Sequence, residues 1–318
     1  MKSIDYKVNI QGLKNKKGSI SISALKEITD ALLKGSDRVL RLFVEGRSTK
    51  SGKNPDWVKK SLDFTITGIK AGSTVIELEA PVLREAIPEQ FIQKKLEVDS
   101  ISPDDTALTL LSRSISDASA ENMESDYFDS GVLDALLSFN DITTRYATEL
   151  KITSKTKVED NFRISREEIK TIKKIKLETP GPHTVVIAGF FNLIEHNNRR
   201  FQLKLEDGRS IEGIMDPSFV DSENMRELWG KKVTVKGKAL YKPSGRLRRL
   251  EAQLVTSFEP GDKILQRIPM VQKRAKPAGE FVLEKKSNSE ALRKVWGKWP
   301  GDESIEELLA LLDGRSHR

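Results

Sequence analysis

The stretch His183–Asp216, HTVVIAGFFNLIEHNNRRFQLKLEDGRSIEGIMD, decides the fold of the second half of this chain. It opens as a long apolar run and breaks at the polar turn His196–Asn198. A second run alternates Phe201, Leu203 and Leu205 with Gln202 and Lys204, the period of two that a half-buried strand requires. Asp207-Gly208 follows. Asp-Gly between alternating runs is a strong hairpin signal, because glycine accepts the positive φ of a tight turn. A third run centres on Ile211 and Ile214. Downstream, PSFVDSENMRELWG (217–230) reads as a helix opened by Pro217 and closed by Gly230, with Met225 and Leu228 inward. KKVTVKGKALY (231–241) then places Val233 and Val235 inward and Thr234 and Lys236 outward, and a fifth strand follows the KPSGR turn (242–246).

Three strands, a helix and two strands resemble the order of an OB-fold, a five-stranded barrel with one helix between its third and fourth strands. An SH3-like barrel or another small five-stranded sheet is the alternative. Gly189 within the long first strand fits a barrel, since glycine lets a strand bend. The resemblance implies that the first hairpin loop and the loop between strands four and five flank a ligand face. Those loops make Arg199, Arg200, Tyr241, Lys242, Arg246 and Arg248 candidate contacts to single-stranded DNA or RNA. The cations suit phosphates, and Tyr241 or Phe190 could stack on a base. A plain packing role competes with this. One of the adjacent Phe190 and Phe191 must point inward, and only one of the neighbouring Arg248 and Arg249 can face a groove.

Upstream, the reading is an α+β domain over 1–98, a helical extension over 99–150 and a lysine-rich linker with a short helix over 151–180. The barrel covers 181–260, and a basic linker with an acidic tail helix covers 261–318. In the first domain, SIDYKVNI alternates as a strand and SISALKEITDALLKG carries a helical apolar face that stops at Gly35. RVLRLFVEG reads as a strand, and DFTITGIKAGSTVIELEAP as a hairpin. The loop GRSTKSGKNPDW offers Arg47, Lys50 and Lys53 to phosphate or simply to water. In the extension, Ser102 is a candidate N-cap ahead of Pro103, and SGVLDALLSFNDIT is a second amphipathic segment. The fold class is therefore an α+β N-terminal domain with a helical extension, an all-β OB-like five-stranded barrel and a short C-terminal helix.

Composition narrows the chemistry. The 318 residues contain no cysteine, which excludes disulfides, thiolate metal sites and cysteine nucleophiles. Three histidines make a multi-histidine metal site or a Ser-His-Asp triad a poor expectation. Lys and Arg outnumber Asp and Glu by 54 to 47, a net +7 compatible with an acidic partner. No apolar run approaches membrane-spanning length and the N-terminus lacks a signal-peptide core, so the expectation is a cytoplasmic protein without a membrane partner. AGST at 71–74 lacks the spaced glycines and lysine of a phosphate loop. Asp126, Asp129 and Asp134 lack the glycine of a calcium loop. Glu77 and Glu79 share a strand face and are the nearest thing to a metal pair; a metal-dependent hydrolase built on carboxylates is the enzymatic alternative. The expectation is a binding protein with no catalytic residue, metal or cofactor.

The last segment changes sign. GDESIEELLALLDG can be capped by Ser304 and stopped by Gly314, and Ile305, Leu308, Leu309 and Leu312 form an apolar stripe. Trp296 and Trp299, two of the four tryptophans, stand just ahead of it. So short a helix does not persist alone in water, so it must dock. LRKVWGKWPGDESIEELLALLD resembles the closing segment of bacterial antitoxin-type proteins encoded beside PIN-domain toxins. LRLFVEGRS and ITGIKAGSTVIELEAP resemble uncharacterised bacterial proteins of similar size. The tail resemblance implies a PIN-type toxin, a metal-dependent ribonuclease, as protein partner. Trp296, Trp299 and the apolar stripe would bind it, and a basic end such as Arg315 or Arg318 would reach its acidic cluster. A single-stranded nucleic-acid binding protein with no toxin partner is the other reading.

Overall fold

The computed structural model describes residues 2–13, 19–49, 53–70, 74–88, 102–195, 199–215 and 227–268, all within one compact unit, Met1–Lys273. The first strand, β1 (Ser3–Gln11), buries Ile4, Tyr6, Val8 and Ile10 at every second position, so its alternation selects the core face. With β2 (Thr65–Lys70), β3 (Val75–Pro81), β4 (Glu149–Ser154) and β5 (Phe162–Ser165) it forms an antiparallel sheet of order β2-β3-β1-β4-β5. The β2–β3 hairpin is the one the sequence suggests. Seven helices accompany the sheet among the described residues: α1 (Ile22–Glu45), α2 (Asp56–Ser61), α3 (Leu83–Ala86), α4 (Ala107–Ser119), α5 (Ser130–Leu136), α6 (Phe139–Arg145) and α7 (Arg166–Glu178). One continuous apolar core runs from Ile4 on β1 to Ile175 on α7.

Three expectations are corrected. α1 does not stop at Gly35, and RVLRLFVEG is its second half rather than a strand. Leu32, Val39, Leu40 and Val44 are all buried along one continuous helix. Gly35 marks a close approach instead: a Cβ there would stand 2.9 Å from Leu111 Cδ1 on α4. The stop is Gly46, at φ 78°, whose N–H donates to the Arg41 carbonyl at 3.1 Å. Nor is 151–180 a linker. Leu150 and Ile152 on β4, Phe162 and Ile164 on β5, and Ile169, Ile172 and Ile175 on α7 all enter the first core. The helical start assigned to Ser102 also shifts. The Asp105 carboxylate accepts from Ser102 N–H at 2.9 Å and holds a turn, and α4 is capped by Thr106, which shares a reciprocal capping box with Thr109.

A polar knot lies between β1 and α4. The Tyr6 hydroxyl sits 2.8 Å from Thr106 Oγ1 and donates to Asp160 at 3.3 Å, and Thr109 donates to the same carboxylate oxygen at 2.8 Å. Burial pushes both the Tyr6 phenol and the Asp160 carboxyl up from their ordinary values. Asp105, fully buried, accepts from Arg113 at 3.0 Å and from Lys157.

The second half is a closed mixed barrel. β6 (His183–Glu195), β7 (Arg200–Lys204), β8 (Ser210–Met215), β9 (Lys232–Tyr241) and β10 (Leu247–Ser257) follow the order β10-β8-β7-β6-β9, and β9 pairs back onto β10. Every pairing is antiparallel except β8 with β10, which is parallel and brings Gly213 opposite Leu250. The Asp207-Gly208 turn forms as the sequence suggests, with Gly208 at φ 84°. Phe191, Phe201, Leu203, Val233, Val235 and Leu250 fill the interior as a core of their own. Phe191 is therefore the inward member of its pair. The helix expected at 217–230 and the tail helix lie largely or wholly outside the described residues; Glu227–Gly230 form a turn.

Candidate functional site

The two loop regions expected to flank a ligand face meet the N-terminal half instead. Arg200 opens β7, and its Nη2 donates to the Val44 carbonyl in the last turn of α1 at 2.9 Å. The end of a helix leaves carbonyls without intrahelical partners at the negative pole of its dipole, so a guanidinium fits there. The β9–β10 turn meets the segment ahead of α5. Lys242 Nζ donates to the Glu124 carbonyl at 2.7 Å and pairs with the Asp126 carboxylate at 2.8 Å. Arg246 pairs with Glu124 at 3.1 Å. Arg248 donates to the Asp126 carbonyl at 2.7 Å and to the Phe128 carbonyl. Tyr241 is 4% exposed, its ring stacked on His183 and its hydroxyl 2.9 Å from His183 Nε2. Of the six candidate contacts, only Arg199 and Arg246 stay exposed. His196–Asn198 lie outside the described residues.

These contacts differ in weight. The Lys242 and Arg246 pairs face solvent on at least one side, and such pairs contribute roughly 0–1 kcal/mol. Arg248 satisfies two main-chain carbonyls from a charged donor, bonds worth about 1.5–3 kcal/mol each. Arg248→Ala should therefore lower the unfolding free energy by about 3 kcal/mol and speed amide exchange at Asp126–Phe128. Arg246→Ala should change either by very little. Equal effects of the two substitutions in urea unfolding and hydrogen exchange would overturn that ordering.

With the lips engaged, the outward face of the barrel presents the exposed chemistry. Phe190 is 39% exposed and stands opposite Lys232 on β9 and Lys204 on β7. Lys232 Nζ lies 5.0 Å from the Phe190 ring centroid, within cation–π range. Farther along the same strands Val186 faces Lys236 and Thr184 faces Lys238, and Trp229, 65% exposed, sits beside the start of β9. The face is mixed in charge: Lys232 pairs with Glu206 at 3.0 Å, and Asp262 of a short 3-10 turn (Pro260–Leu265) accepts from Thr234. Sequence reading singled out Phe190 but not Lys204, Lys232 or Trp229. The signal was present for Lys232 as an outward position alternating with Val233 and Val235, and for Lys204 as one between Leu203 and Leu205.

The carboxylate constellations have local partners. Lys70 pairs with Glu77 at 3.0 Å, and their hydrogen bond holds the Glu77 carboxyl below its usual range. Glu79 accepts from Ser3. Asp126 meets Lys242, Asp129 caps α5 through Val132 N–H at 2.9 Å, and Asp134 pairs with Lys176. No group of three or more potential metal ligands occurs among the described residues. Trp296, Trp299, Ile305, Leu308, Leu309 and Leu312 lie outside them. No helix among the described residues is long and apolar enough to cross a membrane. Compared with known proteins, the chain matches no family model, no curated protein and no solved structure.

Proposed function

We propose that this is a binding protein which holds single-stranded nucleic acid on the outward face of an OB-like barrel and docks a protein partner through its tail. The strand order and the parallel β8–β10 closure are consistent with an OB-like fold. The observation that carries the nucleic-acid half is Phe190, an exposed aromatic between two lysines on neighbouring strands. Such a platform stacks a base while the cations follow the backbone. The test is fluorescence anisotropy with a labelled single strand of about 16 nucleotides. Phe190→Ala should weaken binding by roughly 5- to 100-fold. Lys204, Lys236 and Lys238 to Ala should each flatten the salt dependence by about one unit of slope. Lys242→Ala and Arg246→Ala should leave affinity unchanged; a loss there instead would return the ligand to the lips formed by Arg199, Arg200, Tyr241, Lys242, Arg246 and Arg248. A parent chain that retains no oligonucleotide at low salt ends this half of the proposal.

The partner half rests on Trp296, Trp299 and the Ile305–Leu312 stripe. Deleting 296–318 should leave the melting of the remainder intact and abolish copurification with the product of the neighbouring gene, a PIN-type toxin on this reading. Retained copurification would remove the tail from the interface.

A further inference from the structure

The turn that ends α1 gathers an unusual set of buried donors. Arg249, on β10, is 8% exposed, and its guanidinium lies so close over Gly46 that a Cβ there would stand 2.3 Å from Nη1. That Nη1 has no hydrogen-bond partner. Two residues before Gly46, the Val44 carbonyl takes Arg200 Nη2, while Arg200 Nε is buried without a partner. Two residues after it, Ser48 is 1% exposed and its hydroxyl is also without a partner. Two of these buried donors thus flank Val44–Gly46, and the third, the Ser48 hydroxyl, lies two residues on, against Gly131. The other buried unpartnered side-chain atoms among the described residues are serine hydroxyls on α1 and α4, helices that pack on each other.

Cations also crowd this turn. Arg200 and Arg248 both act on Arg249, opposed by Asp129 and Glu212, and burial with this crowding brings the Arg249 pKa down to about 10. Asp129 is already engaged, accepting from Val132 N–H and Ser48 N–H. Arg38 adds another cation, donating to the Ser48 carbonyl at 2.9 Å. Asp37 and Glu45 pair with Arg41. A buried guanidinium N–H without an acceptor costs several kcal/mol. An oxyanion would satisfy these donors, and guanidinium forks match its geometry.

We infer that Arg249, Arg200 and Ser48 form a binding site for a phosphate-class oxyanion at the Val44–Ser48 turn, where the barrel meets the N-terminal half. This site is separate from the Phe190 face and does not depend on it. The anion can be free phosphate or the phosphoryl group of a mononucleotide. Both are titrated into the full chain by calorimetry and followed by thermal shift, with chloride at matched ionic strength as control. Saturable binding of inorganic phosphate alone identifies a closed site for the free ion; equal binding of adenosine monophosphate identifies a site for a phosphate ester. Ser48→Ala is the decisive variant, because it removes a hydroxyl that has no partner in the protein. Its melting without phosphate should match the parent, and its phosphate affinity should fall roughly tenfold. Arg249→Gln should abolish binding; if that chain fails to fold, Ser48→Ala still decides. No heat and no thermal shift at ~10 mM phosphate, or a Ser48→Ala chain that binds as the parent does, overturns the site.

Discussion

A Gly213→Val chain should lose at least about 3 kcal/mol of stability. Gly213 pairs with Phe201 across β7 and β8 and with Leu250 across the parallel closure. A Cβ at this position would stand 2.0 Å from Phe201 Cζ, with two further ring carbons within 2.5 Å. That ring cannot step aside. It is 2% exposed and packed edge-on against Phe191, centroids 5.2 Å apart at 86°. Either the ring is driven off its rotamer or β8 lifts from β10, and the second outcome opens the barrel. Urea unfolding followed by circular dichroism measures the loss. Phe201→Leu combined with Gly213→Val should recover part of it, because the shorter side chain vacates the contested space. A Gly213→Val midpoint equal to the parent's would mean that the close contact is not a feature of the folded state.

Asp105→Ala should cost about 3 kcal/mol by a different route. This carboxylate is fully buried and joins three parts of the first core: the turn at Ser102, α4 through Arg113, and the segment after β4 through Lys157. Removing it leaves two half-buried cations facing each other and an N–H without its acceptor. Asp105→Asn, which keeps an acceptor for Ser102, should cost less. Lys157→Met added to Asp105→Ala should restore part of the loss, since the stranded charge goes with it. Equal thermal midpoints for the parent and Asp105→Ala would show that the ion pairs merely offset their own desolvation.

Much of this architecture can be read from residues alone, wherever one face is buried and the other is wet. The barrel strands show it best: Phe201, Leu203 and Leu205 alternate cleanly, and Asp207-Gly208 fixes the register. β4 and β5 are hidden from a reading of composition because their buried positions, Leu150 and Ile152, Phe162 and Ile164, are separated by Lys151 and Arg163 at solvent-facing sites. Lysine-rich composition reads as a linker, whereas the structure places strands there. Gly35 misled differently. Glycine weakens a helix, so it reads as a stop, yet the requirement met there is room for Leu111, which lies far along the chain. The candidate site failed to declare itself for a related reason. Arg200 and Arg248 are visible as positive charge, but their acceptors are the main-chain carbonyls of Val44, Asp126 and Phe128, and a carbonyl carries no residue signature.

The central position of β1 bears on how the chain comes off the ribosome. Its two neighbours are β3 and β4, and the β4 edge cannot be closed until Ser154, the partner of Tyr6, has been synthesised. At cellular elongation rates that delay is on the order of ten seconds. Throughout it, β1 carries an unzipped flank of amides and carbonyls, so that strand of the nascent protein is the one most in need of shielding until β4 emerges.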